Sequence, residues 1–232
     1  MTKAILLDIE GTTTPIDFVH KTLFPFAKAR IAGFVQENLA ELKFEIGQLV
    51  AEHADDTEYA SELRTDSPNS VADYLKFLID QDRKSTPLKN IQGMIWELGY
   101  ESGGLVSETF ADVPAAFKRW KDGGKSIAIY SSGSALAQRL IFKYSDQGDL
   151  TPFIDKYFDT NTGPKREADS YRKIAEEMGL EANEVVFVSD ILAELDAAQT
   201  AGMQTVLSIR DGNAGIAEDH SHRAIQSFDD LD

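Results

Sequence analysis

Two carboxylates stand two residues apart where the first apolar segment of the chain ends. Asp8 and Glu10 follow residues 4–7 and precede Gly11 and Thr12. Carboxylate oxygens suit a hard cation such as Mg²⁺, and Asp8 could also attack phosphorus as a nucleophile while Glu10 protonates the leaving oxygen. Asp8 alone is equally typical of a turn after a strand, but the residues that follow it favour the catalytic interpretation.

Hydroxyl groups follow a second apolar segment in the same way. Ser131 and Ser132 come directly after residues 126–130 and are followed by Gly133 and a predicted helix. Serine hydroxyls and backbone N–H groups at a helix N-terminus bind phosphate. Because serine is also a common helix cap, these two residues taken alone do not distinguish a substrate contact from a structural one.

A third apolar segment, residues 185–188, leads into Asp190, with Glu194 four residues beyond it. Ligands of open α/β sheets bind outside the carboxyl ends of the strands, so we predict Asp190 as a third metal ligand beside the first two acids. Lys165 precedes another predicted helix, where a cation opposes the helix dipole. That placement suggests a clamp on phosphate and carboxylates, but for Lys165 taken alone a solvated surface lysine is the more common explanation.

The composition excludes several classes of protein. The 232 residues include 23 Lys and Arg, 39 Asp and Glu, no Cys, and 42% hydrophobic residues. The lack of cysteine removes disulfide scaffolds, cysteine-ligated metals and cysteine nucleophiles. The net charge of −16 argues against nucleic acid and anionic membranes as partners. No secretory leader or membrane-length apolar run is evident, so we expect a cytoplasmic protein.

Short apolar runs without polar alternation are typical of buried parallel strands. Four such runs cover residues 4–7, 126–130, 185–188 and 205–209. Helical patterns separate the later runs, at residues 135–144, 167–178 and 192–201. Strands that alternate with helices predict an α/β fold with a doubly wound, Rossmann-type parallel sheet, to which residues 224–228 could add an edge strand.

A long helical stretch, residues 15–107, lies between the first predicted strand and the second. A crossover between parallel strands needs far fewer residues, so we predict a helical cap domain inserted into a core domain of residues 1–14 and 108–232. We expect Trp96 and Tyr100 to belong to the core of this insert. Such an insert would close over the site and exclude water.

The polar segments occur in the order of the four motifs of haloacid dehalogenase-like phosphatases, and the chain resembles that superfamily. The corresponding residues are, in motif order, 8–12, 131–134, Lys165, and Asp190 with Glu194. Most members carry Asp where this chain has Glu10. That departure, together with Gln-Gly-Met-Ile-Trp at 92–96 and Phe-Ala-Asp-Val-Pro at 110–114, resembles the enolase-phosphatase branch. One departure from the branch is Asp211, where we expect proline.

The resemblance implies both a site and a reaction. The site would consist of an Mg²⁺ ion on Asp8, Glu10 and Asp190, substrate contacts from Ser131, Ser132 and Lys165, and Glu194 as a partner of these residues. A monomer would convert a small molecule, 2,3-diketo-5-methylthiopentyl-1-phosphate, to the acireductone 1,2-dihydroxy-3-keto-5-methylthiopentene in methionine salvage. Enolisation would come first, then dephosphorylation through an aspartyl-phosphate. The base for enolisation stays open between Glu10 and a residue of the insert.

Three other interpretations fit parts of the sequence. A generic Mg²⁺-dependent phosphomonoesterase of the same superfamily would act on another small phosphorylated metabolite. A halogen-removing hydrolase needs no metal, so it would leave the carboxylate set unexplained. A non-catalytic binding protein that keeps the fold for partner docking would leave the same acids and Lys165 without a purpose.

Overall fold

The structure is a computed structural model that describes residues 1–213, 215 and 220–231. It divides into two compact units, one formed by Met1–Val19 with Val106–Asp232 and the other by His20–Leu105. Residues 15–19 and 106–107, which the sequence assigns to the insert, group with the larger unit. Ser107 joins that unit through its N–H, which donates to the carbonyl of Tyr144 at 2.9 Å.

The larger unit contains a six-stranded sheet in the order β3-β2-β1-β4-β5-β6, with every neighbouring pair parallel. The strands are β1 (Ala4–Leu7), β2 (Ser126–Tyr130), β3 (Lys156–Phe158), β4 (Val185–Ser189), β5 (Gln204–Ser208) and β6 (Arg223–Ile225). In the register, Ala4 of β1 lies opposite Ser126 on one side and Val185 on the other. This topology confirms the predicted doubly wound parallel sheet.

The two edge strands are three residues long and depart most from the sequence prediction. The sequence does not predict β3, because so short a strand, with an exposed Lys156 at its start, carries no apolar pattern. The predicted edge strand at 224–228 forms one residue earlier and ends at Ile225. It stops there because a 3₁₀ turn already begins at Phe228.

Helices cover the sheet and fill the smaller unit. A π-helical segment, Phe18–Leu23, leads into that unit, whose helices are α1 (Phe24–Asn38), α2 (Lys43–Ala54), α3 (Pro68–Asp80) and α4 (Thr86–Glu101). The helices of the larger unit are α5 (Val113–Asp122), α6 (Ala135–Lys143), α7 (Ala168–Met178) and α8 (Leu192–Thr200). None of the helices in the described part of the chain combines the length and apolar character that crossing a bilayer requires.

Local sequence explains where several helices begin and end. Ser67 and Ser85 cap α3 and α4, since each side chain accepts a backbone N–H of the first turn and a proline follows within two positions. Gly179 ends α7 in the left-handed conformation, at φ 68°, as the sequence predicts for a glycine cap. In the smaller unit Trp96 and Tyr100 are buried, which confirms their predicted place in its core.

One apolar core joins α7 and α8 to the sheet. Its members come from alternate positions of β1, β2 and β4, as expected for one face of a sheet, from β3 and β5, and from the facing sides of the two helices. The largest are Leu6, Tyr130, Phe158, Tyr171, Ile174, Phe187, Leu195 and Leu207. Because this core fixes the strand ends and the starts of both helices, it also positions the polar residues found there.

Candidate active site

Asp8 is the first residue after β1, at the carboxyl edge of the sheet. Its N–H donates to the carbonyl of Val188 in β4 at 3.0 Å, so the neighbouring strand holds its backbone. The residue is buried, with 5% of its surface exposed. Its Oδ1 accepts the N–H of Ile9 at 2.7 Å, and its Oδ2 lies 3.3 Å from Ser189 Oγ, a hydroxyl that also lies 3.0 Å from Glu194 Oε2. The carboxylate therefore has a fixed orientation.

Lys165 connects two carboxylates at this edge. Its Nζ lies 2.7 Å from Asp8 Oδ1 and 2.7 Å from Glu194 Oε2, and its side chain is 9% exposed. Burial alone would lower the pKa of Lys165, but the charges of Asp8 and Glu194 raise it above its ordinary value. Lys165 therefore keeps its positive charge. It joins Asp8 to Glu194, so that three residues predicted from separate motifs meet at one point.

Two further carboxyls at this edge hold protons more tightly than usual. Burial, and after it the charge of Asp8, raises the pKa of Asp190 to about 7. Burial and Asp8 also raise the pKa of Glu194 to about 7, against the lowering effect of Lys165. Because three carboxyls share one region, a bound cation would relieve their repulsion.

Gly11 allows Asp190 to approach the turn that follows β1. A Cβ on Gly11 would lie 2.4 Å from Asp190 Oδ2 and 2.9 Å from Asn213 Oδ1. The backbone of Gly11 is also left-handed, at φ 68°, which side chains rarely adopt. Both space and conformation therefore require glycine between the first acid pair and Asp190.

Glu10 lies on that same turn and is half-buried. Three backbone N–H groups that follow Gly11 donate to the carbonyl of Ile9. They belong to Thr12, Thr13 and Thr14, at 3.2, 2.9 and 2.9 Å. These bonds hold the backbone of the turn that carries Glu10. Among the residues that the structure describes, no group of three or more Asp, Glu, His or Cys side chains is arranged to hold a metal. Mg²⁺ commonly takes one or two carboxylates and completes its shell with water and substrate phosphate.

The serine loop after β2, residues 131–134, contains both the helix cap and the two predicted substrate contacts. Ser134 is the cap of α6, since its side chain accepts the N–H of Ala137 at 3.3 Å. Ser131 is buried and its Oγ accepts the N–H of Gly133 at 3.3 Å, whereas Ser132 is exposed. Neither predicted substrate contact is therefore the cap of this helix.

Several residues that hold the site were not singled out from the sequence. Ser208 Oγ donates to the carbonyl of Gly11 at 3.2 Å, Asn213 Nδ2 donates to the same carbonyl at 3.0 Å, and Arg210 Nε donates to that of Thr12 at 3.3 Å. All three donors lie at or just beyond the carboxyl end of β5. The signal was the one that identified the other residues, polar side chains after an apolar run.

Comparisons with known proteins identify the family of the chain. The family model for haloacid dehalogenase-like hydrolases matches residues 2–202. A protein of Leptospira borgpetersenii named Enolase-phosphatase E1 is 50% identical over 226 residues, covering 97% of this chain and 96% of that protein. Its namesake in Synechococcus elongatus is 52% identical over 232 residues, covering 98% and 96%.

A crystal structure gives the same answer at the level of the fold. The UTR4 protein of Saccharomyces cerevisiae superimposes with a TM-score of 0.80 at 35% identity, and the match covers all of both chains. Sequence identity of this extent over nearly the full length shows common descent as well as a common architecture. The chain belongs to the haloacid dehalogenase-like hydrolase family and, within it, to the Enolase-phosphatase E1 family.

Proposed function

We propose that this protein is an Mg²⁺-dependent enolase-phosphatase that converts 2,3-diketo-5-methylthiopentyl-1-phosphate to 1,2-dihydroxy-3-keto-5-methylthiopentene. The observation that carries the proposal is Lys165, which bridges Asp8 and Glu194 at 2.7 Å each. A buried ammonium beside a buried carboxylate at a strand end suits a nucleophile that must accept a phosphoryl group. The name of the relatives, at about half identity over nearly the whole chain, supports the same reaction.

Asp8 and Asp190 are the carboxylates that fit a magnesium ion. Burial, and after it the charge of Asp8, raises the pKa of Asp190 to about 7, and a bound cation would relieve both the burial cost and the repulsion. When bound, the ion would neutralise part of the phosphate charge and polarise a carbonyl oxygen. Glu10 has two proposed roles, as a third ligand and as a proton donor.

In the phosphatase half-reaction, Asp8 would attack phosphorus as the P–O bond to the organic group breaks. Lys165 and the N–H of Ile9 orient the carboxylate through Oδ1. Glu10 would protonate the leaving oxygen and then, as a base, activate the water that hydrolyses the aspartyl-phosphate. Ser131 and Ser132 would bind the phosphate oxygens, and positioning supplies most of the remaining acceleration.

In the enolase half-reaction, the carbon that bears the phosphate ester loses a proton and the adjacent carbonyl oxygen gains one. The base must accept a proton from carbon and release it to oxygen, which suits a carboxyl group such as Glu10. A residue of the helical unit is the other candidate. Glu10→Gln would distinguish them, because it would abolish enol formation only if Glu10 is the base.

The test follows both half-reactions in one cuvette. With the diketone phosphate and Mg²⁺, we expect ultraviolet absorbance from the enol, followed by release of inorganic phosphate. EDTA should stop phosphate release and added Mg²⁺ should restore it. Asp8→Asn should abolish phosphate release; retention of near-full activity would remove Asp8 as the nucleophile.

The generic phosphomonoesterase is the alternative that this assay must exclude. A panel of sugar phosphates, assayed beside the diketone phosphate, should be turned over at much lower kcat/KM. A strong preference for sugar phosphates would favour the alternative. We further propose that the enzyme acts as a cytoplasmic monomer on this small molecule, without nucleic acid or membrane as partner, in keeping with its charge of −16.

A further inference from the structure

The backbone that carries Lys165 is held by side-chain hydroxyls. Each of the three consecutive carbonyls of residues 163–165 accepts a hydrogen bond from a different side chain. The pairs are Tyr130 Oη to the carbonyl of Gly163 at 2.8 Å, Ser170 Oγ to that of Pro164 at 2.7 Å, and Tyr171 Oη to that of Lys165 at 2.7 Å. A loop with three such bonds in a row has little freedom to shift.

Two of the three donors, the tyrosines, are fixed by the apolar core. Tyr130 ends β2 and Tyr171 lies in α7, and neither exposes any surface. Their rings meet edge to face with centroids 5.5 Å apart, and Tyr171 also packs on Phe187 of β4 at 5.0 Å. The hydroxyls of both tyrosines therefore have positions determined by packing between strands and helix.

Gly163 shows how closely this loop approaches α7. A Cβ on Gly163 would lie 2.2 Å from Ser170 Oγ and 3.1 Å from Ser170 Cβ. Any side chain at this position would push the loop away from the helix. The loop position thus depends on the hydroxyl bonds and on the absence of a side chain at Gly163.

Tyr130 also lies near the ammonium end of the Lys165 side chain. Lys165 Nζ lies 5.8 Å from the centroid of the Tyr130 ring, within the range of a cation–π contact. Lysine has a long flexible stem, and an anchored backbone reduces the number of conformations that compete with the one that reaches Asp8. A displacement of about 1 Å at a reacting group can cost as much as about 100-fold in rate.

We propose that Tyr130, Ser170 and Tyr171 are positioning residues for Lys165. They hold the backbone of residues 163–165 so that the ammonium group reaches Asp8 and Glu194, and they act through Lys165 without touching the substrate. This inference rests on the proposed phosphatase function.

Single-hydroxyl variants test it. In Tyr171→Phe and Tyr130→Phe we expect kcat/KM for phosphate release from the diketone phosphate to fall about 3- to 10-fold, the range of one lost hydrogen bond. Ser170→Ala should behave likewise. Tyr74→Phe is the matched control, because its buried hydroxyl bonds Asp56 in the helical unit, at 3.2 Å, and none of the site residues. A loss in Tyr74→Phe equal to that in Tyr171→Phe would overturn the inference.

A double-mutant cycle separates positioning from general stability. In a Lys165→Ala background, Tyr171→Phe should change the residual kcat/KM by less than about 2-fold, because the hydroxyl acts through the missing side chain. Equal fold-losses in both backgrounds would overturn the inference, since a merely structural effect is independent of Lys165. Unfolding midpoints of all variants show whether the protein is folded in the assay.

Two further results complete the design. Gly163→Ala leaves Tyr130 and Tyr171 unchanged but places a Cβ against the Ser170 hydroxyl, so it should displace the loop and lower kcat/KM at least as much as Tyr171→Phe. Wild-type kcat/KM in Gly163→Ala would count against the inference. If Lys165→Ala itself kept full activity, the role of Lys165 in the proposed function would fail, and the inference with it. A large loss in Lys165→Ala with unchanged tyrosine variants would overturn the positioning inference alone.

Discussion

Lys165 Nζ and Asp8 Oδ1 are 2.7 Å apart, and the same oxygen accepts the N–H of Ile9. The other carboxylate oxygen, Oδ2, lies 3.3 Å from the Ser189 hydroxyl. The two carboxylate oxygens of Asp8, the proposed nucleophile, thus have different environments, one beside a cation and one beside a neutral hydroxyl. If Asp8 attacks phosphorus as we propose, such preorganisation leaves little rearrangement for the attack itself.

Replacement of Lys165 by methionine should disable the site while preserving most of the side-chain volume. We expect Lys165→Met to lower kcat/KM for phosphate release by about 100- to 1000-fold, as for removal of one preorganised charge from a catalytic site. Lys118→Met is the control, since Lys118 is exposed and pairs with Asp122 on the surface of α5. A Lys165→Met enzyme with more than about a tenth of wild-type kcat/KM would contradict the assigned role.

Asp190 should make the metal-free protein less stable at neutral pH. Its folded pKa is about 7, above the ordinary value of 3.8, because of burial and then Asp8. The folded state therefore binds this proton more tightly than the unfolded state, and the free energy of unfolding falls as the pH rises from about 4 to about 7. In EDTA, Asp190→Asn should raise the free energy of unfolding at pH 8 by about 1 kcal/mol or more and change it little at pH 4.

Urea unfolding at both pH values measures this difference, with Asp122→Asn, an exposed acid of α5, as the control. Because the proposed Mg²⁺ site exists only in the folded state, Mg²⁺ should raise the unfolding midpoint of the wild-type protein at pH 8, and should raise that of Asp190→Asn much less. Equal effects of Asp190→Asn on the free energy of unfolding at pH 4 and pH 8 would contradict the prediction. They would show that ionisation of the Asp190 carboxyl does not destabilise the folded protein.

Asp112 should contribute to stability in the opposite pH direction. Burial would raise its pKa, but the hydrogen bonds from Arg210, at 2.8 Å, and from the N–H of Phe228, at 2.6 Å, hold it below its usual range. The stabilisation is therefore present above the unfolded pKa of about 4 and is lost as the pH falls through the folded pKa. Asp112→Asn should lower the free energy of unfolding at pH 7 by about 3 kcal/mol, the lower end of the range for a broken buried ion pair, because asparagine can still accept one of the hydrogen bonds.

The comparison variant for Asp112 is Asp229→Asn, an acid that is 69% exposed and lies 3.8 Å from Arg119. Between pH 5 and pH 3, Asp112→Asn should lose less stability than the wild-type protein. A parallel decline in the two proteins would mean that the carboxyl of Asp112 is not favoured in its charged form.

Much of the site could be predicted from the sequence, because its residues follow apolar strands. Asp8, Asp190 and the serine loop each come directly after such a run, and parallel strands bring these ends to one edge. Lys165 was identifiable through the family motif rather than through its local pattern. For these residues the local sequence already contains the necessary information, once a parallel sheet is assumed.

The contacts that orient these residues could not be predicted in the same way. The bond from Arg210 to the carbonyl of Thr12 joins positions 198 residues apart, and that from Tyr130 to Gly163 joins a strand to a distant loop. A backbone carbonyl leaves no trace in the sequence, and a buried tyrosine has the same pattern whether or not its hydroxyl bonds a functional loop. Only the strand order and register reveal which hydroxyl meets which carbonyl.

Gly11 offers the most direct test of how tightly the site is built. Gly11→Ala should strain the left-handed backbone at φ 68°, at a cost of about 1–2 kcal/mol, and should also place a Cβ 2.4 Å from Asp190 Oδ2. Gly124→Ala isolates the first effect, because Gly124 has φ 73° and no heavy atom within 4 Å of its added Cβ. We therefore expect Gly11→Ala to reduce stability more than Gly124→Ala does. Of the two variants, only Gly11→Ala should reduce Mg²⁺-dependent phosphate release. Urea unfolding and phosphate release are measured on both variants. Equal effects of the two alanines on stability and on phosphate release would contradict the prediction, since the displacement of Asp190 would then have no consequence.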